Sequence, residues 1–409
     1  MPGLARLRET ARKGAVYATI GMGVSIPVSV ALDSVLLGFA LLLWLASGPR
    51  WEEIARLRQN PMAVAAVGLF LLCALGLLYG EDATENGLMY LKKYMDLAFV
   101  PLFMLLFRDA WARRAGIRAF EIAMLVTLVV SYLLAMGMLP WREPFTANLV
   151  SGATAFKFQI AHGTFMAFAA YLFAERARVA ASSTARVLWS VACGLAIVNV
   201  LFLVTGRTGY LVLFALALLF WWQLFGIRGL AVAAAALAVT VAIALAGSNS
   251  FSERVGLAAH EARTWEYGQS VDTSIGARLN FYATSVRIIR EHPVFGVGLG
   301  GFQAAFREQV AGTRIVPTYN PHNQYLLFGA QLGLVGLAVF LWLLWTLWRS
   351  SGRIEGGIER LAAQGLFATA VIGSAVNSFL LDHTEGLFFA WLAGLACAQL
   401  GDRRTAARR

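Results

Sequence analysis

The feature that most constrains this chain is a series of apolar windows that recurs along its length. A helix needs about 20 apolar residues to cross roughly 30 Å of hydrocarbon. We find twelve windows, at residues 15–31, 34–47, 61–79, 88–107, 119–139, 160–174, 187–205, 209–225, 229–247, 323–348, 362–381 and 387–400. The composition agrees, because 59% of the 409 residues are hydrophobic and only 14% are charged. The sequence therefore predicts an all-α integral membrane protein with about 12 transmembrane helices.

The connections between the windows are of two kinds, which alternate along the chain. Arginine-rich connections lie at residues 50–58, 108–118, 176–186, 228, 349–360 and 403–409. The other connections lie at residues 33, 80–82, 140–159, 206–207, 247–322 and 382–385. Because basic loops stay in the cytoplasm, both termini are predicted to be cytoplasmic and the second set extracytoplasmic. This distribution also explains the net charge of +11 without nucleic acid as a partner.

The amino-terminal segment allows two interpretations. Four basic residues precede the first apolar run, and Ser29-Val30-Ala31 resembles a signal-peptide cleavage site. A second apolar run follows at once, which favours a first transmembrane helix over a cleaved signal.

The longest polar segment divides the chain into three parts. Residues 1–247 hold predicted transmembrane helices 1–9, residues 248–322 form an extracytoplasmic loop domain, and residues 323–409 hold helices 10–12 and a cytoplasmic tail. The segment from 247 to 322 has seven basic and six acidic residues, so its arginines are not orientation signals. Inside it, a helix is predicted over 274–291 and a shorter one up to about Gln309.

His322 is the first candidate for chemistry. Asn320 is predicted to cap the next membrane helix and Pro321 to take its first position, which puts His322 in the first turn. The positive end of the helix dipole and nearby arginines disfavour a charged imidazole. A neutral imidazole suits a general base. The alternative is a histidine that caps or packs at the interface.

Two arginines are candidate anion ligands. Arg207 lies between two apolar runs with no acidic residue nearby in sequence, and an unpaired arginine at membrane depth marks a functional site by default. Its planar fork suits phosphate oxygens, although it could also extend to the interface. Arg278 begins the loop helix, where an ordinary solvated position is the alternative. Four further residues could complete a basic rim for a diphosphate or reach the interface individually: Lys92, Lys93, Arg142 and Lys157.

Other polar residues give weaker signals. His162 and the Asp382-His383-Thr384-Glu385 turn are interpreted as satisfied polar groups between helices. The sequence Gly296-x-Gly298-x-x-Gly301 has the spacing of a dinucleotide fingerprint, but no strand precedes it and no suitably spaced acid follows. Cysteine spacing and the absence of an Asp-x-Asp pair give no sign of a metal, and we expect no cofactor.

The motifs resemble those of a known family. Thr205-Gly206-Arg207-Thr208-Gly209, Ala277-Arg278, His292-Pro293-Val294-Phe295-Gly296-Val297-Gly298 and Pro321-His322-Asn323-Gln324-Tyr325-Leu326 are similar, in order and topology, to the O-antigen ligase and polymerase superfamily of bacterial envelope proteins. The motifs occupy roughly residues 200–330.

The resemblance implies a function. O-antigen ligases transfer a glycan from undecaprenyl diphosphate to the core sugars of lipid A, on the periplasmic face of the inner membrane, without nucleotide or metal. By this resemblance His322 matches the catalytic histidine, while Arg207 and Arg278 match the arginines that bind the diphosphate. Asn323 and Tyr325, in the His322 motif, are predicted to bind substrate. The partners are then the lipid-linked glycan, lipid A–core oligosaccharide and membrane lipids.

Three other functions stay open at this stage. An O-antigen polymerase would use a lipid-linked glycan as acceptor, and a protein O-oligosaccharyltransferase would use a protein. A membrane transporter would show paired intramembrane acids and bases with some repeat symmetry. We find no internal repeat, and the candidate residues gather on one predicted face.

Overall fold

The computed structural model describes residues 2–49, 51–80, 83–140, 152–247, 256–257, 260–261, 263–269 and 273–401. Within these ranges the regular elements are helices, and β-structure is limited to an isolated bridge between Gly152 and Val204. The all-helical class predicted from the sequence is confirmed for this part of the chain.

We number the α-helices in chain order. They are α1 (Pro2–Val28), α2 (Val30–Ala46), α3 (Trp51–Leu57), α4 (Pro61–Gly76), α5 (Leu88–Tyr94), α6 (Val100–Leu106), α7 (Ala110–Ala135), α8 (Gln159–Val179), α9 (Ser183–Val198), α10 (Arg207–Gly247), α11 (Ser274–Glu291), α12 (Phe302–Gln309), α13 (Gln324–Ser351), α14 (Gly357–Val376) and α15 (His383–Cys397). Short 3₁₀ or π segments cover Ala83–Gly87, Met95–Phe99, Asn199–Leu203 and Ala398–Gly401.

Four described segments are long and apolar enough to cross a membrane: Ala110–Ala135, Ser183–Leu203, Arg207–Val232 and Gln324–Ser351. Helices α3 and α4 meet at 85° and supply a fifth span if the pair counts as one. Other windows coincide with shorter helices. The 17 residues of α2, for example, extend only about 26 Å at 1.5 Å per residue. The twelve spans and the extracytoplasmic loop therefore stay predictions.

Helix α15 is the centre of the bundle. It packs against α1, α4, α6, α7, α13 and α14, and its side chains from Glu385 to Cys397 are buried. A helix that is apolar on all sides is expected in such a position. The Trp391 indole donates a hydrogen bond to the Thr19 carbonyl at 2.8 Å. This central helix fixes the position of the turn that precedes it, residues 377–382.

The loop is joined to α13 by an exchange of backbone hydrogen bonds. Gly333 has a φ of 65° and interrupts α13, so the Ala330 carbonyl and the Leu334 N–H lose their helical pairing. The Leu334 N–H donates instead to the Pro293 carbonyl at 2.8 Å, and the Ala330 carbonyl accepts from the Val297 N–H at 2.9 Å. Both freed groups are therefore satisfied by the loop.

The glycines of the loop have a packing role. Gly298 has a φ of 82°, and a Cβ there would lie 2.2 Å from the Gly80 Cα. Next to it, the Leu299 N–H donates to the Gly76 carbonyl at the end of α4, at 2.8 Å. The glycine-rich stretch thus lets loop backbone approach α4 closely, which accounts for its composition without a nucleotide.

Candidate functional site

The predicted cap of α13 is wrong by three residues. Asn323, not Asn320, is the N-cap, because its side chain accepts a hydrogen bond from the Leu326 N–H at 3.0 Å. The helix begins at Gln324, so His322 precedes it and does not lie in its first turn. The predicted position of His322 within the first helical turn, on which the helix-dipole effect depended, is therefore wrong.

Asn320 is occupied elsewhere. Its side-chain oxygen accepts from the His322 N–H at 2.8 Å and from the Ser378 hydroxyl at 2.6 Å. This turn holds His322 at a φ of 54°, a left-handed conformation that is uncommon for residues other than glycine. The two contacts explain the correction, since they engage the oxygen that a cap would need.

The His322 ring is held between the loop and the turn after α14. Its Nδ1 lies 3.3 Å from the Asn377 Oδ1, and the Asn377 Nδ2 donates to the Asp382 Oδ2 at 3.0 Å. The Phe281 ring of α11 lies at 6.4 Å between centroids. The side chain is half-buried, so the imidazole is oriented by the fold while part of it faces solvent.

The last turn of α14 joins several of the predicted residues. Such a turn has carbonyls without helical partners. The Arg278 guanidinium donates to the Val376 carbonyl at 3.4 Å. The Asn323 amide donates to the Ala375 carbonyl at 2.9 Å. The Tyr325 hydroxyl donates to the Val371 carbonyl at 3.0 Å, more than one turn before the helix ends. Residues from the loop and from α13 thus meet at one helix end, beside Asn377.

These contacts show which of the predicted residues have polar atoms left to bind a ligand. Asn323 uses both side-chain polar atoms on the polypeptide, and the Tyr325 hydroxyl is engaged on α14. Arg278 has one long hydrogen bond, and no carboxylate among the described residues pairs with it. Near it, burial raises the pKa of the Tyr282 hydroxyl, which points to the Ala375 and His322 carbonyls. Of these groups, the Arg278 guanidinium is the one with donors to spare.

Arg207 begins α10 and is exposed. The segment before it is fixed, because the Thr205 hydroxyl donates to the Gln159 side chain at 2.8 Å. Gly209 lies so close to α8 that a Cβ would sit 3.0 Å from the Gly163 Cα. Among the described residues, none pairs with the Arg207 guanidinium and no contact joins it to His322. The structure therefore does not bring Arg207 into the His322 cluster.

The predicted basic rim separates into different environments. Lys157 is buried, with its ammonium 3.3 Å from the Thr384 hydroxyl and 3.7 Å from the Asp33 carboxylate. Burial lowers the pKa of this lysine, and the Asp33 carboxylate opposes that effect. Its charge is thus used inside the protein and not on an open rim.

The other rim residues are nearer the surface. Lys92 is exposed, and the Lys93 ammonium lies 5.9 Å from the centre of the Tyr319 ring, three residues before His322. The Tyr90 hydroxyl donates to the Tyr319 carbonyl, which fixes this approach to the site. Arg142 lies outside the described residues.

The polar groups that gave weak signals are buried or half-buried in the bundle. His162 is buried, with Nε2 at 3.0 Å from the Asn199 Oδ1 and Nδ1 beside the Ala155 backbone. His383 lies 3.1 Å from the Asp96 carboxylate. Among the described residues, no three His, Cys, Asp or Glu side chains are arranged to hold a metal ion. The metal-free expectation stays a prediction.

Sequence reasoning missed Asn377 completely. It belongs to none of the motifs and lies inside the apolar window 362–381, so no sequence pattern marks it. Asn377 contacts His322, which is 55 residues earlier in the sequence, and Asp382, which gave only a weak signal in the sequence. Spatial proximity is the only signal that identifies it.

In the part of the chain that the structure describes, four or five segments are long and apolar enough to cross a membrane, and Arg278 and His322 meet at the end of α14. These features are those of a helical membrane protein. Residues 191–341 match the family described as O-antigen ligase. The match includes Arg207, Arg278 and His322, and it confirms the resemblance to the O-antigen ligase and polymerase superfamily. No curated protein matches the chain.

Proposed function

We propose that this chain is an O-antigen ligase, which moves a glycan from undecaprenyl diphosphate to lipid A–core oligosaccharide. The reaction takes place at the periplasmic face of the bacterial inner membrane, with both termini in the cytoplasm. The observation that carries the proposal is the meeting of Arg278 and His322 at consecutive residues, Val376 and Asn377, inside a region that matches the O-antigen ligase family.

The chemistry asks for a base and for positive charge. An acceptor hydroxyl oxygen attacks the anomeric carbon, the bond from that carbon to the diphosphate oxygen breaks, and undecaprenyl diphosphate leaves. His322 takes the hydroxyl proton, while arginine donors stabilise the charge that grows on the diphosphate. A positioned base contributes typically about 10²–10⁴-fold.

Arg278 and Arg207 are assigned to the diphosphate. Guanidinium groups bind phosphate oxygens through two parallel hydrogen bonds, and these are strong when the site excludes water. Arg278 is half-buried, and among the described residues its guanidinium makes a single hydrogen bond of 3.4 Å, which supports this role. Arg207 is exposed at the start of α10, after a segment held by the hydrogen bond from Thr205 to Gln159, which supports contact with a lipid-borne diphosphate.

Direct displacement inverts the anomeric carbon, because no enzyme nucleophile intervenes. Anomeric NMR of the product tests this step, and retention of configuration would contradict it. We also propose that the arginines make a divalent metal unnecessary.

The decisive experiment is transfer by purified protein, with lipid-linked donor and lipid A–core as acceptor. We expect full activity in EDTA and a loss of about 10²–10⁴-fold for His322→Ala. His260→Ala is the matched control, because His260 is exposed in the same loop, and it should keep full activity. Undiminished transfer by His322→Ala removes the base role, and inhibition by EDTA contradicts metal independence.

A genetic experiment separates ligase from polymerase. A strain that lacks a ligase accumulates polymer on undecaprenyl diphosphate. A strain that lacks a polymerase instead carries single repeats on its core. That result would mean that the chain is an O-antigen polymerase and not a ligase. Transfer to a protein acceptor in the purified assay would indicate a protein O-oligosaccharyltransferase. Substrate flux across vesicles without transfer would indicate a transporter.

A further inference from the structure

We propose that Asn377, held by Asp382, sets the tautomer of His322, with the proton on Nδ1 and the lone pair on Nε2. The inference rests on the proposed function, since it assigns the atom that accepts the proton. Asn377 and Asp382 are positioning residues, because neither is placed against the reacting atoms.

The first step fixes the amide of Asn377. An ionised carboxylate only accepts hydrogen bonds, whereas an amide has a donor end and an acceptor end. The Asn377 Nδ2 donates to the Asp382 Oδ2 at 3.0 Å, so the opposite end, Oδ1, must face His322. The carboxylate thereby selects one of the two amide orientations.

The second step fixes the imidazole. An amide oxygen accepts only, so the His322 Nδ1, at 3.3 Å from it, makes a hydrogen bond only when that nitrogen carries the proton. The neutral ring then has its lone pair on Nε2. In the part of the chain that the structure describes, no group hydrogen-bonds to that Nε2, which leaves it available for an acceptor hydroxyl.

The third step concerns charge. A carboxylate in direct contact with the ring would also fix this tautomer, but it would stabilise the imidazolium as well. In this protein an uncharged amide separates the ring from the Asp382 carboxylate. The arrangement therefore orients the base without placing an anion against it, next to a site where Arg278 is to receive a diphosphate.

Single substitutions test the relay, by which we mean the chain of hydrogen bonds from Asp382 through Asn377 to His322. In Asp382→Asn the side chain at 382 can donate or accept, so Asn377 is free to turn and both tautomers become possible. We expect kcat to fall about tenfold to a hundredfold, by analogy with other orienting partners, while KM for the lipid-linked donor stays the same. Asp109→Asn is the matched control, since Asp109 is exposed and its side chain makes no cap hydrogen bond. An unchanged kcat in Asp382→Asn, or a rise in KM alone, overturns the inference.

A double variant exchanges the two groups. In Asn377→Asp with Asp382→Asn, the new carboxylate accepts from the His322 Nδ1–H and from the new amide. We expect the double variant to recover the Nδ1-protonated tautomer that Asp382→Asn loses, a non-additive result. Additive losses in the double variant would contradict the donor–acceptor order.

The tautomer can be observed without activity. Solid-state NMR of reconstituted protein with ¹⁵N-labelled histidine distinguishes protonated from bare ring nitrogens, and His322→Gln identifies the signals. We expect a protonated Nδ1 in the native protein and mixed signals in Asp382→Asn. Active enzyme with the proton on Nε2 overturns this inference and leaves the proposed function intact. The expected tautomer in a chain that transfers no glycan supports the relay and overturns the proposed function.

Discussion

The two ends of the helix bundle use arginine differently. At the arginine-rich end, Arg113 pairs with Glu359 at 3.0 Å, and Arg176 binds Glu121 through two hydrogen bonds at 2.7 and 2.9 Å. At the other end, Arg278 has no carboxylate partner in the part of the chain that the structure describes, and it lies beside His322. Paired arginines hold helices together, whereas unpaired ones are free to bind an anion. The comparison therefore predicts a structural role for the paired arginines and supports the proposed anion-binding role for Arg278.

The largest expected effect is a loss of stability on breaking an ion pair at the arginine-rich end. Glu359→Ala leaves the buried Arg113 without its counter-charge, which costs about 3–5 kcal/mol of stability when such a pair is broken. We expect a large fall in the unfolding temperature in detergent and unchanged transfer per folded molecule. If stability is unaffected, the paired end does not have the structural role assigned to it.

Lys157 is an exception to this comparison, because it lies toward the His322 end of the bundle but is buried and paired with Asp33. Lys157→Met should destabilise the protein by about 2–3 kcal/mol, less than a close pair, because the 3.7 Å separation is longer. Donor KM should not change. If the donor KM of Lys157→Met rises while its stability stays normal, Lys157 binds the substrate, as the sequence predicted.

Arg278 tests the unpaired end directly. Arg278→Ala should weaken donor binding by about 1.5–3 kcal/mol, the range for hydrogen bonds to charged groups. Stability should change little, since only one hydrogen bond of 3.4 Å is lost. The control is Arg290→Ala, an exposed arginine on the same helix, measured for donor KM and unfolding temperature. If both variants raise the donor KM equally, Arg278 acts only as an ordinary surface charge.

Arg207 is expected to show the smallest effect. The structure shows no contact between its exposed guanidinium and the His322 cluster, so Arg207→Ala should cost about 1.5 kcal/mol in donor binding, the low end for hydrogen bonds to charged groups. Arg228→Ala, an exposed arginine of the same helix, is the matched control. A loss as large as that of Arg278→Ala would mean that the bound diphosphate contacts both arginines equally.

Local patterns predicted local structure well. The helix over 274–291 follows from its apolar stripe and from the stop at His292-Pro293, and α11 has those bounds. The predicted boundary near Arg228 is also marked in the structure, since Gly226 interrupts α10 with a φ of 61°. These features depend on residues that are close in sequence.

Features that depend on distant contacts could not be predicted. Asn320 and Asn323 are both good caps, and the choice between them is made by Ser378, which occupies Asn320. The break at Gly333 is stabilised by loop residues some forty positions earlier. Asn377 carries no motif. The sequence therefore singled out His322 and Arg278 as candidates but gave no sign of Asn377 and Ser378, which contact His322 and Asn320.

The exchange of hydrogen bonds at Gly333 limits how the loop can move. Pulling residues 293–297 away from α13 would leave the Ala330 carbonyl and the Leu334 N–H without partners, at a cost of about 1–3 kcal/mol for each buried group. Residues 293–297 are therefore fixed to α13, the helix that follows His322. Movements that keep these hydrogen bonds therefore carry residues 293–297 and α13 together as one unit.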